Sequence, residues 1–351
     1  MAGLRIALVS TPFVSVPPCG YGGTELVIAE LAQALTARGV EVVVYATGDS
    51  NLPGIEVRSY FPTPQWPPDN DVERVHAAWC LRDIARDPRG FDLVHLNSAV
   101  AVEMSRLCET PMVCTVHHDY EQRSSAIYRA APQVLLVAIS HNQALRETAE
   151  ISAVVHHGLS PERFVSLPDQ GYLLFLGRYA RVKGAHTAVE AAAAAGLPLV
   201  MAGEIHEARY FHEQVAPLIR EHGVIEVGQV GGARKQALIA RARALIFPIE
   251  WEEPFGLVMI EAMLSGVPVL ATARGSVSEV IEDGVTGSIC TSTRELSISA
   301  RLAERRFNRQ RVQTHARRRW SAARMAAEYL QVYRLAIIRP QLEELDGAAG
   351  A

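Results

Sequence analysis

The 351-residue sequence has few cysteines, no excess of basic residues and no long apolar run. Its five cysteines are scattered and form no CxxC pair, so neither a disulfide framework nor a zinc knuckle is indicated, and a reducing cytoplasm fits. Lysine plus arginine (34) against aspartate plus glutamate (38) gives a net charge of −4, which argues against a nucleic-acid partner. No stretch approaches about 18 consecutive apolar residues, so we expect no signal peptide, no integral membrane segment and a cytoplasmic protein.

Short apolar runs alternate with amphipathic stretches over nearly the whole chain. This alternation predicts an α/β fold with helices wrapped around parallel sheets. The first series of expected strands covers residues 4–9, 40–46, 91–97, 111–117, 134–140 and 153–157. The second series covers residues 172–176, 198–202, 225–230, 244–248, 268–271 and 287–291. Turn residues in LPDQG (167–171) separate the series, so we predict domains at 1–168 and 169–320 and a helical segment at 321–351 that packs back across them.

Three other segments carry structural signals. Thr24 is predicted to cap the first helix, which should end near Gly39. The Pro-rich segment 60–71 is expected to be a loop. Residues 301–324 hold nine arginines and one acid, Glu304, which favours a solvated helix face. Contact of these arginines with an anionic acceptor or a membrane surface is the alternative.

The strongest chemical signal is EWEEPFGLVMIEAMLSGVPVLAT (250–272), which follows an apolar strand and is predicted to open a helix near Phe255. The first amides of a helix have no partners within it, and that end attracts anions. The predicted donor-binding residues here are Phe255 and the amide donors Gly256, Leu257 and Val258. Glu261 would lie one turn further along the same face, suited to a ribose diol, and Glu253 would stand at the mouth beside a sugar. Each glutamate taken alone is more simply a surface or helix-start acid.

Seven residues separate the two glutamates of EPFGLVMIEAM. This spacing resembles the Glu-x7-Glu motif of retaining glycosyltransferases of family 4. The resemblance implies the GT-B fold, in which two Rossmann-like domains face each other across a cleft and the C-terminal domain holds most of the nucleotide sugar. It further implies transfer of a sugar from a nucleotide diphosphate, most simply UDP, to an acceptor hydroxyl. Neither a metal, nor another cofactor, nor a dedicated protein base is expected.

The segment YLLFLGRYARVKG (172–184) is similar to the GRxxxxKG segment of the same family. The resemblance implies that Arg178 and Lys183 clamp the donor diphosphate. The chemistry requires cations there because negative charge develops on the leaving diphosphate. Solvated loop cations are the alternative interpretation.

The N-terminal half offers two further candidates. Gly22 and Gly23 precede a helix, where adjacent glycines let the backbone approach a phosphate closely, and the family places its glycine loop likewise. A dinucleotide-binding fingerprint is disfavoured because Glu25 stands where the third glycine belongs. At the end of PMVCTVH, His117 matches a family histidine that contacts the donor sugar, with His118 as a fallback. A core or loop histidine is the alternative for either one.

Weaker signals complete the site. Val230 is a candidate nucleobase contact, because the family seats the base at the end of that strand. Asp69-Asn70-Asp71 fits a manganese-binding DxD pattern but follows QWPP, so we interpret it as a turn. The adjacent His156 and His157 would point to opposite sides of a strand, so no metal site is expected.

EWEEPFG together with GYGGTELV resembles a subgroup that includes a glycosyltransferase of avilamycin biosynthesis. That resemblance favours a natural product or oligosaccharide as acceptor. Two other functions stay open at this point: a sugar-nucleotide epimerase of the same fold, and a non-catalytic sugar-nucleotide binding subunit.

Overall fold

The computed structural model describes residues 3–20 and 22–349, with side chains through residue 339. The chain forms two compact units. One joins the residues up to Gly158 with those from Ala322 onward, and the other is Leu159–Ser321. Each unit contains one parallel sheet flanked by helices, which confirms the predicted α/β class with two Rossmann-like halves. Among the described residues, no helix combines the length and apolar character needed to cross a membrane.

The first unit is built on a seven-stranded sheet of order β3-β2-β1-β4-β5-β6-β7. Its strands are β1 Arg5–Val9, β2 Glu41–Tyr45, β3 Glu56–Arg58, β4 Leu93–Leu96, β5 Met112–Val116, β6 Val134–Ala138 and β7 Ala153–Val154. Its helices before the second unit are α1 Gly23–Thr36, α2 Asn70–Arg86, α3 Ala99–Glu103, α4 Gln122–Arg129 and α5 His141–Arg146. The six predicted strands are present, although β7 ends before His157. Strand β3 was not predicted, because three half-exposed residues at a sheet edge show no apolar run.

The second unit is built on a six-stranded sheet of order β10-β9-β8-β11-β12-β13. Its strands are β8 Leu173–Leu176, β9 Leu199–Ala202, β10 Ile225–Glu226, β11 Ala244–Phe247, β12 Val269–Thr272 and β13 Gly287–Cys290. Its helices are α6 Ala185–Ala195, α7 Ala208–Tyr210, α8 Ala216–His222, α9 Gly232–Arg241, α10 Leu257–Leu264, α11 Val277–Val280, α12 Thr293–Arg306 and α13 Arg309–Arg319. The prediction for 225–230 was too long, because β10 is a two-residue exposed edge strand.

The units change at Gly158/Leu159, ahead of the expected 168/169. Leu159 forms a parallel bridge with Ser321, and its amide donates to the Trp320 carbonyl at 2.9 Å. The turn residues of 167–171 therefore mark the loop before β8 and not the change of unit. The last helix, α14 Ala322–Ala349, packs on α1, β4 and β5 of the first unit.

Three local expectations need correction or refinement. Helix α1 begins at Gly23 after Gly22, so Thr24 lies inside the helix and does not cap it. The predicted loop 60–71 ends where Asp69 caps α2, accepting from the Asp71 amide at 2.7 Å. The arginine-rich segment forms two helices, α12 and α13, separated by Phe307 and Asn308.

Candidate functional site

Strands β8 and β11 are neighbours in the second sheet, and the chain order reverses between them. Ligands of open parallel sheets bind beyond the carboxyl ends of the strands at such a switch point. Here the loop after β8 carries Arg178 and Lys183, and the loop after β11 carries Glu253. Three of the predicted donor-binding residues of the C-terminal half therefore follow the two strands that meet at this switch point.

Gly184 fixes the position of Lys183. Its backbone lies in the left-handed region (φ 67°), and a Cβ built on it would be 1.9 Å from the Pro248 carbonyl oxygen. The Glu250 amide donates to the Val182 carbonyl at 2.9 Å across the same contact. Because only glycine permits this approach, the 3₁₀ turn Arg181–Lys183 is pressed against the loop after β11.

Lys183 and Glu253 form a direct ion pair. The Lys183 Nζ donates to Glu253 Oε2 at 2.5 Å, and only 15% and 10% of the two side chains are exposed. The Trp251 Nε1 donates to the same carboxylate oxygen at 2.9 Å, and the Lys183 Nζ lies 4.7 Å from the centroid of the Trp251 ring. The sequence predicted the two charged residues, whereas Trp251 was missed because no known spacing singles it out.

The backbone around Glu253 is held from the loop after β12. The Ser276 amide donates to the Glu253 carbonyl at 2.9 Å, and the Ser276 hydroxyl donates to the Phe255 carbonyl at 2.8 Å. A Cβ on Gly275 would stand 2.3 Å from the Glu253 nitrogen, so a side chain there would displace the loop. The Phe255 ring is buried against Trp320, with centroids 5.9 Å apart, and only 2% of the residue is exposed, so its predicted contact with the donor stays a prediction.

Helix α10 begins at Leu257, two residues later than predicted. Gly256 precedes it with φ 77°, and no side chain caps the helix. Gly256, Leu257 and Val258 are each partly exposed, so the uncapped amides of the first turn are accessible. The start of the helix is therefore uncapped, and the binding of an anion by its first amides stays a prediction.

Glu261 is buried on α10, with 5% of the residue exposed. The Lys235 Nζ of α9 donates to Glu261 Oε1 at 2.7 Å. Lys183 and Lys235 are the only lysines of the sequence, and each pairs with one glutamate of the Glu-x7-Glu segment. Lys235 was missed because the contact joins two helices and leaves no local pattern.

Arg178 and Val230 occupy different surroundings. The Arg178 Nη1 lies 3.4 Å from the His206 Nε2, in the loop after β9. A Cβ on Gly203 would be 1.9 Å from the Gly177 carbonyl oxygen, so the ends of β8 and β9 approach closely beside Arg178. Val230 is partly exposed in the loop before α9, beyond the end of β10, and its predicted role stays a prediction.

In the first unit, Gly22 and Gly23 lie at the start of α1. A Cβ on Gly22 would come within 2.8 Å of the Pro18 Cβ, so the tight approach excludes a side chain. The Thr11 hydroxyl donates to Glu25 Oε1 at 2.9 Å, and burial raises the pKa of Glu25. The loop follows β1, as predicted, and its contact with a phosphate stays a prediction.

His117 lies at the end of β5 and is held by Asn97 after β4. The Asn97 Nδ2 donates to the Val9 carbonyl at 3.0 Å, so the Asn97 Oδ1 faces the His117 Nε2 at 2.9 Å. Nε2 must therefore carry the proton. Burial, as the main cause, and the neighbouring His157, as the second, hold the pKa of His117 well below its usual range. The ring is therefore neutral, and Nδ1 is an acceptor. His118 is exposed, and its carbonyl accepts from the Gln143 Nε2 at 2.7 Å.

Comparison with known proteins gives two family matches. The family described as "Glycosyl transferases group 1" matches residues 160–319, and the one described as "Glycosyltransferase Family 4" matches residues 21–163. A glycogen synthase of Mycobacterium tuberculosis is 26% identical over 350 residues, with 82% of each chain covered.

Two solved structures show the same architecture. AviGT4, a glycosyltransferase involved in avilamycin A biosynthesis, superposes with a TM-score of 0.75 and 28% identity over 95% of this chain and 98% of its own. HepE of Anabaena, crystallised with UDP and glucose, has a TM-score of 0.71 and 19% identity over 94% of this chain and 99% of its own. The HepE likeness concerns the fold alone.

Proposed function

Since the chain belongs to the family 4 glycosyltransferases of the group 1 type and has their GT-B fold, we propose that it is a retaining enzyme. It would transfer a sugar from a nucleotide diphosphate to an acceptor hydroxyl. One observation carries the proposal: Glu253 and Glu261, two buried carboxylates that each pair with a lysine, lie on either side of the uncapped start of α10 along the chain.

The diphosphate would bind at the start of α10. The Leu257 and Val258 amides, at the positive end of the helix, would donate to the phosphates, and Lys183, the partner of Glu253, would supply a full positive charge. Arg178 follows the same strand as Lys183 and would contact the second phosphate. These preorganised donors stabilise the charge that develops on the leaving group, so we propose that no metal is required.

Glu261 would hold the ribose. Lys235 contacts only its Oε1, and among the described residues no side chain or amide donates to Oε2. An open acceptor on a largely buried side chain is suited to a ribose hydroxyl, which supplies a donor. UDP is the first nucleotide to test, because HepE, which shares the fold, was crystallised with it.

In the proposed reaction the acceptor oxygen bonds to the anomeric carbon as the bond from that carbon to the diphosphate oxygen breaks. Attack and departure share one face of the sugar, which retains the anomeric configuration, and the departing diphosphate oxygen takes the acceptor proton. Glu253 would orient the sugar hydroxyls. His117 would accept a hydrogen bond from the sugar through Nδ1, which its tautomer leaves as the acceptor.

We propose a natural-product or oligosaccharide hydroxyl as the acceptor. The support is the likeness to AviGT4, a glycosyltransferase involved in avilamycin A biosynthesis, and to a glycogen synthase, whose name indicates a carbohydrate acceptor. A peripheral contact of the arginine-rich helices with a membrane is not needed for this function.

The experiment is a donor screen by thermal shift and calorimetry with UDP, GDP, ADP and dTDP sugars, with and without EDTA. We expect one UDP-sugar to raise the melting temperature of the wild-type protein and not of Lys183→Met, with no effect of EDTA. NMR of the bound sugar without acceptor then separates the functions, because an epimerase would convert it. Failure of every nucleotide sugar to bind would refute the proposal.

A further inference from the structure

Trp251 has no part in the proposed reaction itself. We propose that it is a positioning residue, which keeps Glu253 aimed at the sugar when Lys183 turns from Glu253 to the donor diphosphate. The proposal rests on the function above and adds to it a residue that determines how the site is held.

Trp251 contacts both members of the ion pair. Its Nε1 donates to Glu253 Oε2 at 2.9 Å, and that oxygen also accepts from the Lys183 Nζ at 2.5 Å. The face of the same indole ring lies 4.7 Å from the Lys183 Nζ. The Glu253 amide donates to the Trp251 carbonyl at 3.0 Å, which joins the two backbones.

The two donors on Glu253 respond differently to a diphosphate. Lys183 is charged, so phosphate oxygens compete with Glu253 for it. The indole N–H is uncharged and can only donate, so phosphate oxygens attract it far less than they attract the Lys183 ammonium. Since the Glu253 side chain is 90% buried, with 10% exposed, the loss of Lys183 would leave it without a strong partner unless Trp251 stays in place.

The ring serves Lys183 as well. An ammonium over an aromatic face is attracted at any point of that face, so Lys183 can change partners while it remains over the ring. Trp251 is partly exposed, which leaves the indole beside the space that a ligand would enter. One side chain therefore fixes the carboxylate and guides the cation.

Two substitutions separate these contributions. Trp251→Phe keeps an aromatic ring beside Lys183 and removes the N–H, so we expect kcat to fall about tenfold and the Kd for UDP to stay within about twofold. Trp251→Leu removes both the aromatic ring and the N–H, so we expect the same loss in kcat and, in addition, a UDP affinity about two- to fivefold weaker. Trp79→Phe, in the first unit, is the matched control and should leave kcat and Kd unchanged.

A second measurement needs no activity. The sequence has four tryptophans, so its ¹H–¹⁵N spectrum has four indole signals, and Trp251→Phe assigns one of them. We expect Glu253→Gln to shift that signal alone, and UDP to leave it at its hydrogen-bonded position.

The inference is overturned if Glu253→Gln leaves the signal unmoved, if UDP shifts it to the solvent-exposed position, or if Trp251→Phe keeps the wild-type kcat. Should the protein bind UDP but transfer no sugar, the proposed function fails, and the indole signals alone decide whether Trp251 holds Glu253.

Discussion

Replacing Lys183 by methionine tests the ion pair at the centre of the site. The substitution leaves the Glu253 carboxylate buried, with the Trp251 N–H as its remaining side-chain donor. Breaking one side of a buried pair costs about 3 to 5 kcal/mol, and the surviving hydrogen bond favours the lower end. We therefore expect the free energy of unfolding to fall by about 3 kcal/mol, which for a unit of this size lowers the melting temperature by roughly 6 to 12 °C.

Turnover should fall at least about 10²-fold, because a transition-state cation is lost. The double variant Lys183→Met with Glu253→Gln should regain most of the stability, since no charge is then left unpaired, without regaining activity. Urea and thermal unfolding measure the first effect, and sugar transfer at saturating donor measures the second. Arg209→Met is the matched control, because it breaks an exposed ion pair with Glu213 in the same unit. Equal stability of the wild type and Lys183→Met would refute the reasoning.

Three further predictions concern other contacts. Glu261→Gln should weaken UDP binding by about 10- to 100-fold in calorimetry, because a charged acceptor for the ribose is lost. The control Glu190→Gln, at an exposed position, should leave UDP binding unchanged. Equal UDP affinities of the wild type and Glu261→Gln would reject the ribose assignment. Gly184→Ala should lower both the melting temperature and UDP affinity, because its Cβ meets Pro248, whereas Gly196→Ala, at φ 68° in open space, should cost only backbone strain and leave UDP binding intact. His95 is buried between the Tyr333 and Thr115 hydroxyls at 2.7 Å each, and burial lowers its pKa to about 3. As the pH falls below about 6.5, His95 gains a proton in the unfolded chain but not in the folded one, so the free energy of unfolding should be about 2 kcal/mol lower at pH 5 than at pH 7.5. In urea unfolding, His95→Gln should reduce this dependence of the unfolding free energy on pH. An unchanged dependence would contradict the assignment.

The strands could be predicted where burial on both faces leaves a continuous apolar signal. β1, β5 and β6 are buried along their whole length and were identified to within two residues at either end. The edge strand β3 escaped prediction because its residues are exposed or half-buried. The change of unit at Leu159 escaped it because that position is defined by a bridge to Ser321, a residue distant in sequence.

The site divides in the same way. Glu253, Glu261 and Lys183 carry a recognisable spacing, and in the structure Lys183 pairs with Glu253 while Glu261 pairs with Lys235. Lys235 lies 26 residues from Glu261, and Asn97 lies 20 residues from His117. Such contacts arise only when separate strands and helices pack together, so a single sequence gives no local sign of them.

The route of the chain has a consequence for the order in which the protein matures on the ribosome. Leu159–Ser321 is continuous and its two ends pair, so every residue of that unit has been made before α14 is translated. The strands of the first sheet are translated earlier, but their packing is incomplete until α14 is made. Tyr329 and Tyr333 of that helix are the partners of buried Thr115 and His95, and they follow the second unit in the chain. The half translated first is therefore the half completed second.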